Sequence, residues 1–477
     1  MASAVMNTTL AQELLSPRIF ESEAAPADRD LVGMLSEGVR DADLADNPVV
    51  LPDFCFKKKS EMPSSMSVAT QDTIRPDFTD AALNCGMALS VLDIQKPPEE
   101  AVRKFYKRVT DRFPNPPTWK RELTRKEVLR AAVEGGDFAA ERFGVGRYEL
   151  DRVEEFGRLD VEQYGGYERA ERELPWMVQQ MGRLRFGTIG PSTHFLEMQQ
   201  VEEVFDTEAA AAMGLAVGQI TVQFHNGGGV LTGQLGELYG RRKAASKQLR
   251  MEMAVQKPLT HLLNTSPRKA RERYAQYFKH GGTVVEAAST EGDRLQLSQR
   301  LSMNYGFAYR LATFAALRGM AAVELGSEMN LIVDSPHNTI YNETVNGRSA
   351  FVHRHNAARA IPASLLQGHP AFAKTGQPVL LPGTNRTSSY VCIAGDGSRK
   401  SLHTSPHGTG TVIKQFVAAG KSNLHPEGHR TLRFRYDGTC EVVEHYDDNG
   451  INEALSILVA NDILRPVVRV RPFAVLS

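Results

Sequence analysis

The sequence is short of the features that would place it at once. Its 477 residues hold four cysteines, Cys55, Cys85, Cys392 and Cys440, scattered with no Cys-x-x-Cys pair. That excludes a disulfide framework and fits a reducing compartment. There is no apolar run of about 18 residues, which excludes a transmembrane helix. A basic segment followed by an apolar core is missing at the start, so a secretory signal is not expected and the cytoplasm is the expected location. Net charge is also lacking, with 56 basic residues against 56 acidic. The whole chain thus carries no basic signature of nucleic-acid binding, although a local patch suffices for that function. No internal repeat and no low-complexity segment appears.

What is there divides into an acidic beginning and a long mixed remainder. Residues 1–47 are acidic and Ala-rich, with Glu21, Glu23, Asp28, Asp30, Asp41, Asp43 and Asp46, and read as a peripheral arm with a solvated face. Residues 48–477 read as one catalytic domain. Lys57, Lys58 and Lys59 form a compact positive spot between strand-like pieces, either a solvated run or a phosphate-facing loop. Residues 95–187 are mostly helical and the most basic part of the chain. There Phe105, Tyr106, Phe113 and Trp119 interleave with Arg103, Lys104, Lys107, Arg108, Lys120, Arg121, Arg125 and Lys126. Aromatics among cations can stack on a nucleic acid, but a solvated amphipathic helix has the same pattern and is the reading favoured here. The pattern predicts helices from Leu231 to about Leu317, broken near Pro258 and near Gly281-Gly282. Strands follow, with hairpins about Asn346-Gly347 and Asp437-Gly438. The expected fold class is α/β, with mixed β-sheets flanked by helices in a single domain.

The candidate chemistry is positional. Cys85, His194, His225 and His337 each lie where a strand-like segment meets a loop. One thiolate and three imidazoles suit Zn, Mn, Fe or Co. They are far apart in sequence, so spacing alone does not show that they converge. His407, ahead of Gly-Thr-Gly at a helix entrance, is a candidate phosphate-facing nucleophile or base.

The order of the motifs resembles the RtcB family of tRNA-splicing RNA ligases. The matching pieces are Leu-Asn-Cys-Gly-Met (83–87), Thr-His-Phe-Leu-Glu (193–197), Phe-His-Asn-Gly (224–227), His-Asn (337–338), Val-His-Arg (352–354), Ala-Arg-Ala-Ile-Pro (358–362), Gly-Gln-Pro-Val-Leu-Leu-Pro-Gly (376–383), Ser-Ser-Tyr-Val (388–391) and His-Gly-Thr-Gly (407–410). The resemblance implies two Mn²⁺ ions held by Cys85, His194, His225 and His337, with Cys85 bridging. It implies that His407 attacks GTP and becomes guanylylated, and that an RNA 3′-phosphate or 2′,3′-cyclic phosphate end is then joined to a 5′-hydroxyl end in splicing or repair. The GTP contacts it implies are Thr193, His194, Phe195, Leu196, Glu197, His337, Asn338, Pro382, Gly383, Thr384, Asn385, Ser389, His407, Gly408, Thr409 and Gly410, with Glu197 accepting from the guanine edge. The expected partners are RNA ends, such as tRNA halves, and no membrane; the oligomeric state is left open.

Five positions depart from the family pattern. Ala82 stands where the family has a metal-binding Asp, Thr193 where it has Asn, Gly229 and Thr411 where it has Arg, and Ser477 where it has Lys. Loss of the carboxylate removes a hard oxygen ligand, and Asp80, close in sequence, is a candidate substitute. A second class therefore stays open beside the ligase: a relative that binds or processes RNA ends without joining them.

Overall fold

The computed structural model describes residues 16–57, 60–116, 118, 120–190, 193–240, 247–263, 265–278 and 282–477. Lys58, Lys59, Trp119, Pro191, Ser192, Gly281 and the first 15 residues lie outside these. The fold is α/β, as expected, and is built on two sheets. The larger has nine described strands. Its main path runs Pro378–Leu381, Ser389–Ala394, Leu464–Leu476, Phe195–Val204, Ile220–Asn226, Gly86–Leu92 and Met329–Pro336, and every neighbouring pair on that path is antiparallel. Arg430–Phe434 adds in parallel to Leu464–Leu476 and pairs with Cys440–Glu444. The Gly86–Leu92 strand is buried along its whole length, which explains its near-continuous apolar sequence.

The smaller sheet has five described strands, ordered Arg18–Ile19, Val49–Cys55, Ser64–Thr70, Arg348–His355 and Asn338–Val345. Its last two strands form the expected hairpin. Both turn residues, Asn346 (φ 50°) and Gly347 (φ 76°), adopt the left-handed backbone that such a turn requires. The two sheets are joined at one residue: the chain leaves the larger sheet at Pro336 and enters the smaller at Asn338, with His337 between them. Of the acidic stretch, Arg18–Ile19 pairs in parallel with Val49–Val50, and Leu35 and Val39 of the following helical segment are fully buried.

Helices cover the larger sheet. The longest, Thr290–Glu324, starts at a Ser289 cap whose hydroxyl accepts from the Gly292 N–H, with Glu291 and Asp293 in its first turn. It packs against Arg125–Glu134, Gly136–Phe143, Gly229–Tyr239 and the Met329 strand. The break expected near Pro258 falls a few residues later: Pro258 lies inside the helix Lys247–His261. The helix ends just beyond it, before the Ser266 cap of the next one, Pro267–Tyr277. In the basic region, Phe105, Tyr106 and Phe113 turn into the core. Arg103, Lys104 and Lys107 pair with Glu99, Glu100 and Asp111 one helical turn away. That is the amphipathic helix rather than a stacking platform.

Candidate active site

Antiparallel pairing gathers the dispersed residues. Cys85 immediately precedes the Gly86 strand and His225 is the penultimate residue of its antiparallel neighbour. His194 immediately precedes the next antiparallel strand, and His337 follows the Met329 strand on the other side. A residue before one strand and a residue at the end of its antiparallel neighbour share one end of the sheet. The register places Met87, His225 and Phe195 side by side. His194 leads into its strand, whereas His225 lies at the end of one.

The ligand atoms converge. Cys85 Sγ lies 3.2 Å from His225 Nε2 and 3.5 Å from His194 Nε2, and His225 Nε2 lies 3.0 Å from His337 Nε2. A tetrahedral ion with ordinary Zn–N and Zn–S distances holds two nitrogens about 3.4 Å apart, and a nitrogen and a sulfur about 3.6 Å apart. The observed spacings equal these values or fall somewhat short of them, which is compatible with donors that share an ion. Two overlapping groups form, Cys85–His194–His225 and His225–His337–His407, each with its ligand atoms within 4.8 Å of one another. His225 Nδ1 is tied to the Thr193 carbonyl at 2.9 Å, which fixes the ring and leaves Nε2 facing the others.

His407 enters this group from the other side of the cleft. It follows the short strand Thr404–Pro406, which pairs with Ala357–Arg359, and it precedes the helix Gly410–Ala418. Its N–H donates to the Asn356 carbonyl (3.1 Å), and its ring stacks on His337 with centroids 3.7 Å apart and planes at 14°. The His225 ring is 4.8 Å away. Nδ1 of His337 and Nδ1 of His407 are buried with no hydrogen-bond partner among the described residues.

Electrostatics suit a cation. Burial pushes the Cys85 thiol up to about 12, and the Asp80 carboxylate adds to the rise. Burial lowers His194 to about 4; it lowers His407 to about 3, where the Lys57 charge adds to it. His225 and His337 are held well below the usual imidazole range, by burial first and then by His407. Near neutral pH the cluster is a thiol and four neutral imidazoles with their lone pairs available, and such a donor set fits a divalent transition metal. Of the three lysines, Lys57 is exposed, and its charge acts on Cys85, His225, His337 and His407.

A layer behind the cluster was not anticipated from the sequence. Arg310, fully buried in the long helix, donates through Nε to Asp334 Oδ1 (2.7 Å), through Nη1 to the Asn84 carbonyl (2.5 Å) and through Nη2 to Asn84 Oδ1 (2.6 Å). Asn84 takes a left-handed backbone (φ 59°) directly before Cys85, and its amide donates to the Met303 carbonyl. Gly306 makes room for it, since a Cβ there would lie 2.7 Å from that of Asn84. The available signal was a single arginine among the apolar and aromatic residues Phe307 to Phe314, which cannot be buried without a carboxylate partner.

The implied nucleotide contacts are placed unevenly. Thr193–Glu197 lead from the cluster into the Phe195 strand, but Leu196 turns its side chain into the main core. Glu197 is buried, accepts from Gln199 Nε2 at 2.7 Å, and is raised by burial to about 8. Asn338 Oδ1 accepts from the Asn356 N–H at 2.8 Å, which links it to the His407 segment. Thr409 donates to the Pro382 carbonyl at 2.8 Å, joining that segment to the Pro382–Asn385 loop, and Ser389 Oγ accepts from the Gly383 N–H at 3.0 Å. The departures also find their places. Asp80 Oδ1 accepts from the Ala82 N–H at 2.9 Å, and Asp80 belongs to neither ligand group. At Gly229 the backbone is left-handed (φ 62°), and a Cβ would meet the Tyr309 ring at 2.8 Å, so an arginine does not fit without moving Tyr309. The Thr411 N–H is capped by Asp53.

The fold and the centre together define an α/β protein organised around a buried Cys/His cluster compatible with metal binding. The comparisons with known proteins narrow that class. Residues 43–477 match the family model described as "RtcB: tRNA-splicing ligase RtcB", and the chain belongs to the RtcB family. It is 30% identical over 302 residues to the RNA-splicing ligase RtcB of Mycobacterium bovis, a match covering 62% of this chain and 63% of that protein. It is 28% identical over 373 residues to the tRNA-splicing ligase RtcB of Thermococcus kodakarensis (73% and 69% of the two chains), and 27% identical over 427 residues to that of Aeropyrum pernix (84% and 81%). The chain thus spans just under two thirds of the mycobacterial relative. Among the described residues no helix is long and apolar enough to cross a membrane.

Proposed function

We propose that this chain is a GTP- and Mn²⁺-dependent RNA ligase that joins an RNA 3′-phosphate or 2′,3′-cyclic phosphate end to a 5′-hydroxyl end. The observation that carries the reading is the stacking of His407 on His337, which puts a neutral imidazole in the same cleft as the thiol and histidine cluster. A neutral imidazole is a competent nucleophile near pH 7. In this reading a His407 ring nitrogen attacks the α-phosphorus of GTP, the bond to the β-phosphate oxygen breaks, and pyrophosphate leaves. An oxygen of the RNA 3′-phosphate then takes the guanylyl group from His407. Finally the 5′-hydroxyl oxygen attacks that RNA phosphorus and GMP departs, leaving a 3′,5′-phosphodiester; a cyclic end is first opened by water. Cys85, His194, His225 and His337 would hold the metal ions, which when bound neutralise phosphate charge and orient in-line attack. The Thr193 carbonyl keeps His225 oriented. Lys57 adds positive charge at the cleft, and Glu197 lies along the strand that leads out of it. Residues 48–477 form the catalytic domain in this reading, with residues 1–47 as an arm.

The test is incubation of purified protein with α-labelled GTP and Mn²⁺, followed by RNA carrying the two ends. Label bound to the protein and then released as GMP with joined RNA is the expected result. The cluster has no carboxylate in either ligand group among the described residues, and this favours a second reading as a relative that binds or processes RNA ends without joining them. Absence of label with RNA binding intact selects that one.

A further inference from the structure

We propose that His425, Glu427 and His429 form a second metal site, of the zinc type and separate from the candidate active site. The three side chains offer ligand atoms within 4.8 Å of one another. They lie on a five-residue His-Pro-Glu-Gly-His loop, where Gly428 (φ 66°) takes the left-handed turn that brings the second histidine back toward the first. His429 Nε2 lies 2.9 Å from Glu427 Oε2, and the two imidazole centroids are 4.4 Å apart. An exposed His–Glu pair would account for the first distance but is worth little; His425 Nδ1 accepts from the Glu427 N–H at 3.2 Å, which orients that ring within the loop. A further carboxylate, Glu202, stands 3.9 Å from His429 Nε2, with its own Oε1 held at 2.6 Å by Arg471.

The backbone around the loop is fixed before any ion arrives. The His445 C=O accepts from the His425 N–H (2.9 Å), and the His445 N–H donates to the His429 C=O (3.0 Å), so one residue clamps both ends. The His445 ring is buried 6.1 Å from that of His429, and its Nδ1 has no hydrogen-bond partner among the described residues. Two nitrogens and carboxylate oxygen without thiolate, on a clamped loop, is a donor set for Zn²⁺. Glu202 is eight residues along its strand from His194, roughly 25 Å at the rise of an extended chain, so the two centres do not share an ion. An ion here would pin the loop entering the Arg430–Phe434 and Cys440–Glu444 hairpin to the Phe195 strand.

The experiment uses the full chain, stripped with a chelator, reloaded with Zn²⁺, dialysed and assayed by elemental analysis. Cys85→Ala is the background, so that the first centre does not dominate the count. The proposal expects this protein to keep about one zinc per chain more than the same protein carrying His425→Gln and His429→Gln. It also expects Zn²⁺ to raise the thermal midpoint of the protein with both loop histidines more than that of the protein lacking them. Cobalt in the site should give tetrahedral absorption without a thiolate charge-transfer band. Glu427→Gln, which leaves both imidazoles in place, should weaken zinc retention, and it serves as the test if the double substitution misfolds. Equal zinc in the parent and substituted proteins, or zinc lost from both on dialysis, overturns the proposal.

Discussion

Replacing Arg310 by Met tests whether the layer behind the cluster holds it in place. Arg310 is fully buried and Asp334 nearly so. Burial pushes the Asp334 carboxyl up, and the Arg310 guanidinium opposes that rise. Arg310→Met leaves a buried carboxylate with no cation, and loss of one partner of a buried pair costs about 3 to 5 kcal/mol. Two buried Asn84 acceptors lose their donors as well, at about 1 to 3 kcal/mol each when left unsatisfied. Adding Asp334→Asn removes the stranded charge but does not restore the Asn84 contacts. The double variant should therefore be more stable than Arg310→Met yet less stable than the parent, with a coupling energy of about 2 to 3 kcal/mol from the cycle. Urea midpoints of the four proteins, without metal, measure it. The single variant should also suffer more at pH 8 than at pH 5, because protonation of Asp334 relieves it at low pH. Metal retention should fall in both variants that lack Arg310, since Asn84 leads directly into Cys85. A coupling energy near zero, or unchanged metal content without Arg310, refutes the idea that this layer positions the thiol.

Cys85→Ala should strip at least one metal ion per chain from the candidate active site, read by elemental analysis. His407→Ala should abolish labelling from α-labelled GTP while leaving Mn²⁺ content nearly unchanged; label that persists assigns the nucleophile elsewhere. Ala82→Asp, which supplies the hard oxygen missing from the cluster, should tighten Mn²⁺ about tenfold or more and raise guanylylation, and a calorimetric titration that detects no change refutes this. Glu197 keeps its proton to about pH 8 in the folded chain, against an ordinary value of 4.5. Between those values the folded chain binds more protons than the unfolded one, so stability falls as pH rises, by at most about 1.4 kcal/mol per pH unit. Glu197→Gln should remove that component of the slope in urea midpoints taken from pH 5 to pH 8, and identical slopes would count against it.

The sequence made strand ends visible, and the site lies at strand ends. Val222, Phe224 and the glycines after His225 mark a strand and its stop, and the same local rules found Cys85, His337 and the His407 loop entering a helix. What local rules do not carry is which end of which strand meets which. Convergence of Cys85, His194, His225 and His337 follows from an antiparallel order set by pairings between residues distant in sequence, such as Phe195 with His225, 30 positions apart, on one side and Met87 with His225, 138 positions apart, on the other. Arg310 was hidden for a related reason. Its helix is buried nearly all round, so its periodicity shows no polar face, and its meaning lies in Asp334 and Asn84 on other elements. Pro258 marked the end of its helix to within one turn, since the helix stops at His261. The second histidine pair, at 425 and 429, sits in a loop whose backbone is clamped by His445, and nothing near it in sequence announces that residue.

The order in which the cluster's residues leave the ribosome has a chemical consequence. Cys85 emerges early and His407 late, and at 5 to 20 residues per second the interval is roughly tens of seconds. The donors of the two ligand groups are therefore brought together only after most of the chain has been made, and the complete centre takes up metal no earlier than that.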